Sequence, residues 1–159
     1  MTPPLYFAYG SNLEPRQMAA RCPGHRVVGR AVLRGHGLRF RGHGRDWAGA
    51  VATVEPAPGH DVHGVVFELT DVHYASLDGY EGYDGPGAAT NLYDRVPARV
   101  EIEGGDAADV LTYRMRPAPE GAPSRRYRDA ILAGMRPHGL PATAIAALEA
   151  VPVAEPDRA

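Results

Sequence analysis

Apolar residues along this chain fall mostly in short runs and alternations rather than at helical spacing, so strands dominate the predicted structure. Leu5-Tyr-Phe-Ala-Tyr9 is a continuous apolar and aromatic run that stops at Gly10, the mark of a buried strand entering a tight turn. Arg26 to Leu33 and Gly37 to Phe40 read as two strands separated by a Gly-rich turn. Residues 41–48 show no periodicity and are expected to form a loop. Ala50-Val-Ala-Thr-Val54 is rich in β-formers, and Pro56-Ala-Pro-Gly59 marks a turn. Val62 to Leu69 then alternates, with Val65 and Phe67 opposed to Val66 and Glu68. Tyr93 to Ile102 and Asp109 to Met115 form a hairpin joined through Gly104-Gly105.

The helical signals are shorter. Ser11 or Asn12 can cap a helix with Pro15 in its first turn, ending near Cys22 before Pro23-Gly24. Thr70 or Asp71 can cap another through Leu77 to Gly79. Pro123-Ser124 opens a longer helix whose Tyr127, Ile131 and Met135 share one face at four-residue spacing. Gly139-Leu-Pro141 breaks it, and Ile145, Leu148 and Val151 predict a short final amphipathic helix. Strands without regular β–α alternation define an α+β fold on a mixed sheet, one that can close into a small β-barrel flanked by short helices. One domain is expected over residues 1–153, followed by a flexible tail, 154–159.

Composition narrows the function classes. A chain of 159 residues can bury a core without disulfides or metals. Seventeen basic residues, all arginine, stand against 19 acidic ones for a net charge of −2, which gives no electrostatic case for nucleic acid or an anionic membrane as partner. The single cysteine, Cys22, has no internal partner for a disulfide and reads as a small apolar residue. Met1-Thr-Pro-Pro4 carries no basic segment and no long apolar stretch, so neither a signal peptide nor a membrane span is expected and the cytoplasm is the default location.

Two segments carry candidate chemistry. Tyr9-Gly10-Ser11-Asn12-Leu13 sits where a buried strand hands over to a helix, and the first N–H groups of a helix have no partner within it. Such a turn can hold a carboxylate or a developing oxyanion, although the same residues fit an ordinary capped helix start. A serine hydrolase built on Ser11 lacks both a Gly-x-Ser-x-Gly elbow and an assignable His–Asp pair. Leu77-Asp78-Gly79-Tyr80-Glu81-Gly82-Tyr83 places two carboxylates at a Gly-rich helix end among tyrosines. A glutamate there loses hydration and its pKa rises toward the range useful for proton transfer; a solvated helix end is the alternative.

Other features point nowhere in particular. His60-x-x-His63 does not put both rings on one face of a strand, and no His-Glu-x-x-His occurs, so no metal is expected. Arg30, Arg34, Arg39, Arg41 and Arg45 with two Arg-Gly-His-Gly repeats could suggest RNA, but solvated strand faces explain them better. The 41–48 loop could border a cavity.

Taken together, Tyr-Gly-Ser-Asn-Leu at 9–13 and Leu-Asp-x-x-Glu-Gly at 77–82 resemble the γ-glutamylcyclotransferase family. Five further segments match in the family's order: Asp46–Val54, Val62–Leu69, Leu111–Met115, Pro123-Ser-x-x-Tyr127 and Gly139-Leu-Pro141. The resemblance covers nearly the whole chain. It implies a small β-barrel with a cavity against the Tyr-Gly-Ser-Asn-Leu turn. It implies a reaction in which the α-amine of a γ-glutamyl group attacks its own γ-carbonyl, closing 5-oxoproline and expelling the attached amine. By the family's pattern Glu81 is the acid/base residue, and Tyr9, Gly10, Ser11, Asn12 and Leu13 hold the glutamyl end. Tyr113 matches a tyrosine that lines the pocket, with Tyr127 near it; the Tyr113 hydroxyl is expected to hold Glu81 or the substrate. No cofactor is implied. The partners expected are a small γ-glutamyl substrate, no nucleic acid and no membrane, in a monomer or homodimer. A biosynthetic enzyme that removes a γ-glutamyl protecting group shares every one of these residues, and a non-catalytic binding relative would have no use for Glu81.

Overall fold

A computed structural model describes residues 4–154. Five strands form a closed barrel in the spatial order β1-β3-β2-β4-β5, with β1 spanning Leu5–Ala8, β2 Arg26–Gly44, β3 Gly49–Glu68, β4 Tyr93–Ile102 and β5 Ala107–Met115. All neighbours are antiparallel except β1 and β5, whose parallel contact closes the ring. Four helices flank it: α1 Pro15–Arg21, α2 Asp71–Glu81, α3 Arg125–Met135 and α4 Ala142–Glu149. Among these described helices none is long and apolar enough to cross a membrane. Phe7, Val54, Val65, Val66, Phe67, Val100 and Val110 of the strands join Leu13, Met18, Leu77 and Ile131 of the helical side in one buried core.

The hairpin β2–β3 departs from the expected string of short strands and turns. Its strands are 19 and 20 residues long and stay paired from Arg26↔Glu68 to Gly44↔Gly49. What reads as a turn at Gly35 is a bulge: Arg34 pairs with Asp61, the next pair is His36 with Pro56, and Gly35 takes a φ of 70°. Residues 57–60 are the matching excess on the other strand, so Pro56–Gly59 bends β3 without ending it. Likewise the expected 41–48 loop shrinks to the four residues between the two strands. Bulges add bend and twist, and here they let one hairpin wrap a large part of a small barrel.

Ala154, the first residue of the expected tail, is held by the body of the domain. Ala154 donates its N–H to Pro123 O at 2.7 Å, and Arg128 holds Val151 O at 3.1 Å, so the chain is docked through Ala154. Residues 155–159 of the expected tail lie outside the described residues. The arginine-rich strand β2 carries ion pairs: Arg30 with Glu103, Arg34 with Asp61 and Glu101, and Arg41 with Glu55. Cys22 is fully buried, its thiol pushed up to about 11 chiefly by burial.

Candidate active site

The strand–helix turn is the first wall of the site. After β1, Tyr9 and Gly10 lead into a single 3₁₀ turn, Ser11–Leu13, in which the Leu13 N–H closes on Gly10 O at 3.0 Å and the Glu14 N–H on Ser11 O at 2.9 Å. The N–H groups of Ser11 and Asn12 precede that closure and have no acceptor within the turn. The helix proper starts later than expected because Glu14, rather than Ser11 or Asn12, is its cap. The Glu14 carboxylate accepts from the Arg16 and Gln17 N–H groups, with Pro15 at the first helical position. On the other side of the turn α3 lies against its backbone. A Cβ at Gly134 would sit 2.3 Å from the Leu13 carbonyl carbon, so only glycine permits the approach.

The second wall is the end of α2. Thr70 caps its start, accepting from the His73 N–H at 3.3 Å while the His73 ring accepts from the Thr70 N–H. Tyr74 and Leu77 bury one face, and Gly82 ends the helix in the left-handed region at φ 65°, ψ 41°. Glu81 is therefore the last helical residue and lines a cleft beside the turn. Asn12 donates from Nδ2 to Glu81 Oε1 at 3.3 Å and to the Tyr6 hydroxyl at 2.9 Å.

The cleft has about 660 Å³ of empty space, its open mouth included. Tyr6, Tyr9, Tyr93, Tyr113 and Tyr127 line it from inside, all buried. Most of their hydroxyls are committed: Tyr9 donates to Tyr113 O, Tyr93 donates to Ala52 O at 2.6 Å, and Tyr127 accepts from the Ala52 N–H at 2.9 Å. Burial raises the pKa of each of these phenols, so they stay neutral. Burial also pushes Glu81 up to about 7, opposed by the Arg21 charge and the Asn12 hydrogen bond and reinforced by Asp78. The mouth is edged by Arg21, Tyr80 and the β2–β3 turn, where Trp47 packs on Tyr127 at 4.8 Å between ring centres under the guanidinium of Arg126.

Of the residues expected at the site, Glu81, Tyr9, Gly10, Ser11, Asn12, Tyr113 and Tyr127 are brought together around this cleft. Leu13 is not among them. Its side chain is fully buried in the core and its N–H is used by Gly10, because the chain has already turned inward under α3. The Tyr113 hydroxyl, expected to hold Glu81 or the substrate, donates to Asp78 Oδ1 at 2.7 Å rather than to Glu81. Asp78 takes two further bonds from Arg95 Nη1, at 2.9 and 3.1 Å, and so braces α2 against β4 and β5. Tyr6, Arg21, Trp47 and Tyr93 were not singled out by sequence. The only local signal for Arg21 is its position four residues after Gln17, on the face of α1 that looks back at Asn12.

A desolvated carboxyl near neutrality, in a cleft walled by neutral phenols and the 10–12 turn, has the properties needed to move a proton on a small bound molecule. The comparisons with known proteins say which kind. The family described as "Gamma-glutamyl cyclotransferase, AIG2-like" matches residues 6–131. The γ-glutamylcyclotransferases of Mus musculus and Bos taurus are 31% and 30% identical to this chain over 141 residues, 86% of this chain and 72% of each relative. A solved structure described as "Gamma-glutamyl cyclotransferase" superposes with a TM-score of 0.89 at 28% identity, over 98% of this chain and 91% of that one. The chain belongs to the γ-glutamylcyclotransferase family and is an enzyme of that family.

Proposed function

We propose that this enzyme cyclises a γ-glutamyl group to 5-oxoproline and releases the attached amine or amino acid, with Glu81 carrying the proton. The observation that supports this best is the Glu81 carboxyl itself, raised to about 7 and hydrogen-bonded by Asn12 beside the 10–12 turn. At that pKa the group is ionised often enough to accept a proton at neutral pH and acidic enough to return it.

The substrate supplies its own nucleophile, which accounts for a site with no serine–histidine or cysteine–histidine pair. Glu81 takes one proton from the α-ammonium. The freed amine attacks the γ-carbonyl, and the carbon–nitrogen bond that closes the ring replaces the one to the leaving group. The oxygen becomes negative in between, and N–H groups at Ser11 and Asn12 suit either that oxyanion or the glutamyl carboxylate. Glu81 returns its proton to the departing nitrogen as the amide bond breaks. The second proton left on the ring nitrogen passes to the released amine, which departs as its ammonium while the ring is left as the neutral lactam. Holding amine and carbonyl together within one molecule contributes up to roughly 7–11 kcal/mol in favourable models.

The test is incubation with γ-glutamyl-amino acids, γ-glutamylamines and glutathione, following 5-oxoproline and the released amine by mass spectrometry. Equimolar release from one or more members of the panel is expected. A folded protein that binds such compounds and forms no 5-oxoproline would overturn the assignment in favour of a binding module.

A further inference from the structure

The amide of Asn12 has one permitted orientation, and α1 sets it. Its Oδ1 receives Arg21 Nη1 at 3.0 Å and Gln17 Nε2 at 3.1 Å. A guanidinium has donors only, so the atom facing Arg21 must be the amide oxygen. The nitrogen then faces the opposite way, toward the Tyr6 hydroxyl and Glu81 Oε1. Gln17 cannot impose this alone, because its own amide can turn to offer either a donor or an acceptor. With the Asn12 amide reversed, an oxygen would meet the Glu81 carboxylate. Arg21 also reaches α2 directly: its guanidinium carbon stands 4.2 Å above the centre of the Tyr80 ring, the residue next to Glu81.

We propose that Arg21 is a positioning residue for the proton-transferring Glu81: by fixing the Asn12 amide it presents an N–H donor, rather than an oxygen, to the carboxyl. Among the described residues Oε2 takes no side-chain hydrogen bond, so the held oxygen is Oε1 and the other is available to substrate. The inference rests on the reaction proposed above for its consequence, but the coupling of Arg21 to the carboxyl stands on geometry.

The surroundings leave Arg21 with a distinct effect. From α2 itself Glu81 meets Asp78, whose charge is already engaged by Arg95 of β4 and the Tyr113 hydroxyl of β5. Arg45 and Asp46, of opposite sign, edge the cleft from the β2–β3 turn. The phenols of Tyr6 and Tyr9 on β1, Tyr93 on β4 and Tyr127 on α3 remain neutral because burial raises them.

The experiment compares the parent enzyme with Arg21→Met, which keeps the apolar stem, and Arg21→Lys, which keeps the charge. Two readouts are taken: the pH profile of kcat/KM for 5-oxoproline formation, and a ¹³C NMR titration of the Glu81 carboxyl assigned by its absence in Glu81→Gln. In Arg21→Met the ascending limb and the carboxyl titration should move up together by roughly 0.5–1 pH unit. That corresponds to a loss of about two- to five-fold at pH 7 from ionisation alone, with a further deficit persisting at high pH where the carboxyl is held less well. Arg21→Lys should bring both titrations back toward the parent. Unchanged titrations in Arg21→Met would overturn the proposal, whatever the loss of rate; should that variant melt below the assay temperature, Arg21→Gln decides by the same two readouts. If the parent forms no 5-oxoproline, the proposed reaction fails, and the carboxyl titration still decides the role of Arg21.

Discussion

Glu81→Gln separates the chemistry of the carboxyl from its volume. In the folded protein the group titrates at about 7 instead of the ordinary 4.5, because burial penalises its charged form. Below 4.5 the residue is protonated in both folded and unfolded chains and has no effect on pH dependence. As pH rises from there to 7 the unfolded chain releases the proton while the fold retains it, so the parent loses stability across that window. The full difference corresponds to roughly 3 kcal/mol, and the partial exposure of the residue reduces this to about 2. The Gln variant has no such loss. It should therefore melt ~4–8 °C above the parent at pH 8, with the gap closing toward pH 4.5. Turnover should fall by ~10²–10⁴-fold, since the amide neither accepts nor returns a proton. The assays are thermal melts at both pH values and 5-oxoproline formation. Near-parental turnover from a folded variant would refute the mechanism, and an equal melting temperature at pH 8 would refute the desolvation that underlies it.

Tyr113→Phe removes one of three bonds to Asp78; a stability loss of ~1 kcal/mol with turnover reduced only several-fold is expected in melts and rate assays. A collapse of turnover matching Glu81→Gln would show instead that this hydroxyl meets the substrate. Asp78→Asn unbalances a half-buried ion pair with Arg95 and should cost ~1–3 kcal/mol, more in melting than in rate; the reverse order would count against a bracing role. Gly134→Ala places a methyl 2.3 Å from Leu13 backbone and should lower both melting temperature, by ~1–3 kcal/mol of stability, and turnover, because α3 is pushed off the turn. Unchanged values for both would mean that the contact relaxes without moving the site.

Local patterns carried much of the fold. The four-residue spacing of Tyr127, Ile131 and Met135 marks α3, and all three are buried as that spacing requires. Ser124 caps it by accepting the Tyr127 N–H at 3.1 Å. Thr70 behaves likewise for α2. The errors lie where one residue type serves two purposes. Glycine and proline at 35 and 56–59 signal a turn and a bulge alike, and only the pairing across β2–β3 tells them apart. Leu13 is adjacent to Asn12 in sequence, yet packing under α3, set by residues far along the chain, turns one into the core and the other into the cleft. The walls of the site are equally non-local. Tyr93 reaches the cleft from β4, and Arg21 finds its role only through the amide of Asn12.

The parallel contact that closes the barrel governs when the protein can begin to work. β1, which precedes the other described strands, is inserted between β3 and β5, pairing Leu5 with Val110 and Tyr6 with Leu111. The turn that follows it is seated on α3, still later in the sequence. A ribosome releases Asn12 long before it makes either partner, so the earliest of these strands to be synthesised is the last to be enclosed. Closure over such separations is slow compared with forming the β2–β3 hairpin, whose strands are neighbours in sequence. A nascent chain that stops short of α3 can hold a barrel sheet but no backed turn, so the cleft beside the turn comes together only once α3 has been made.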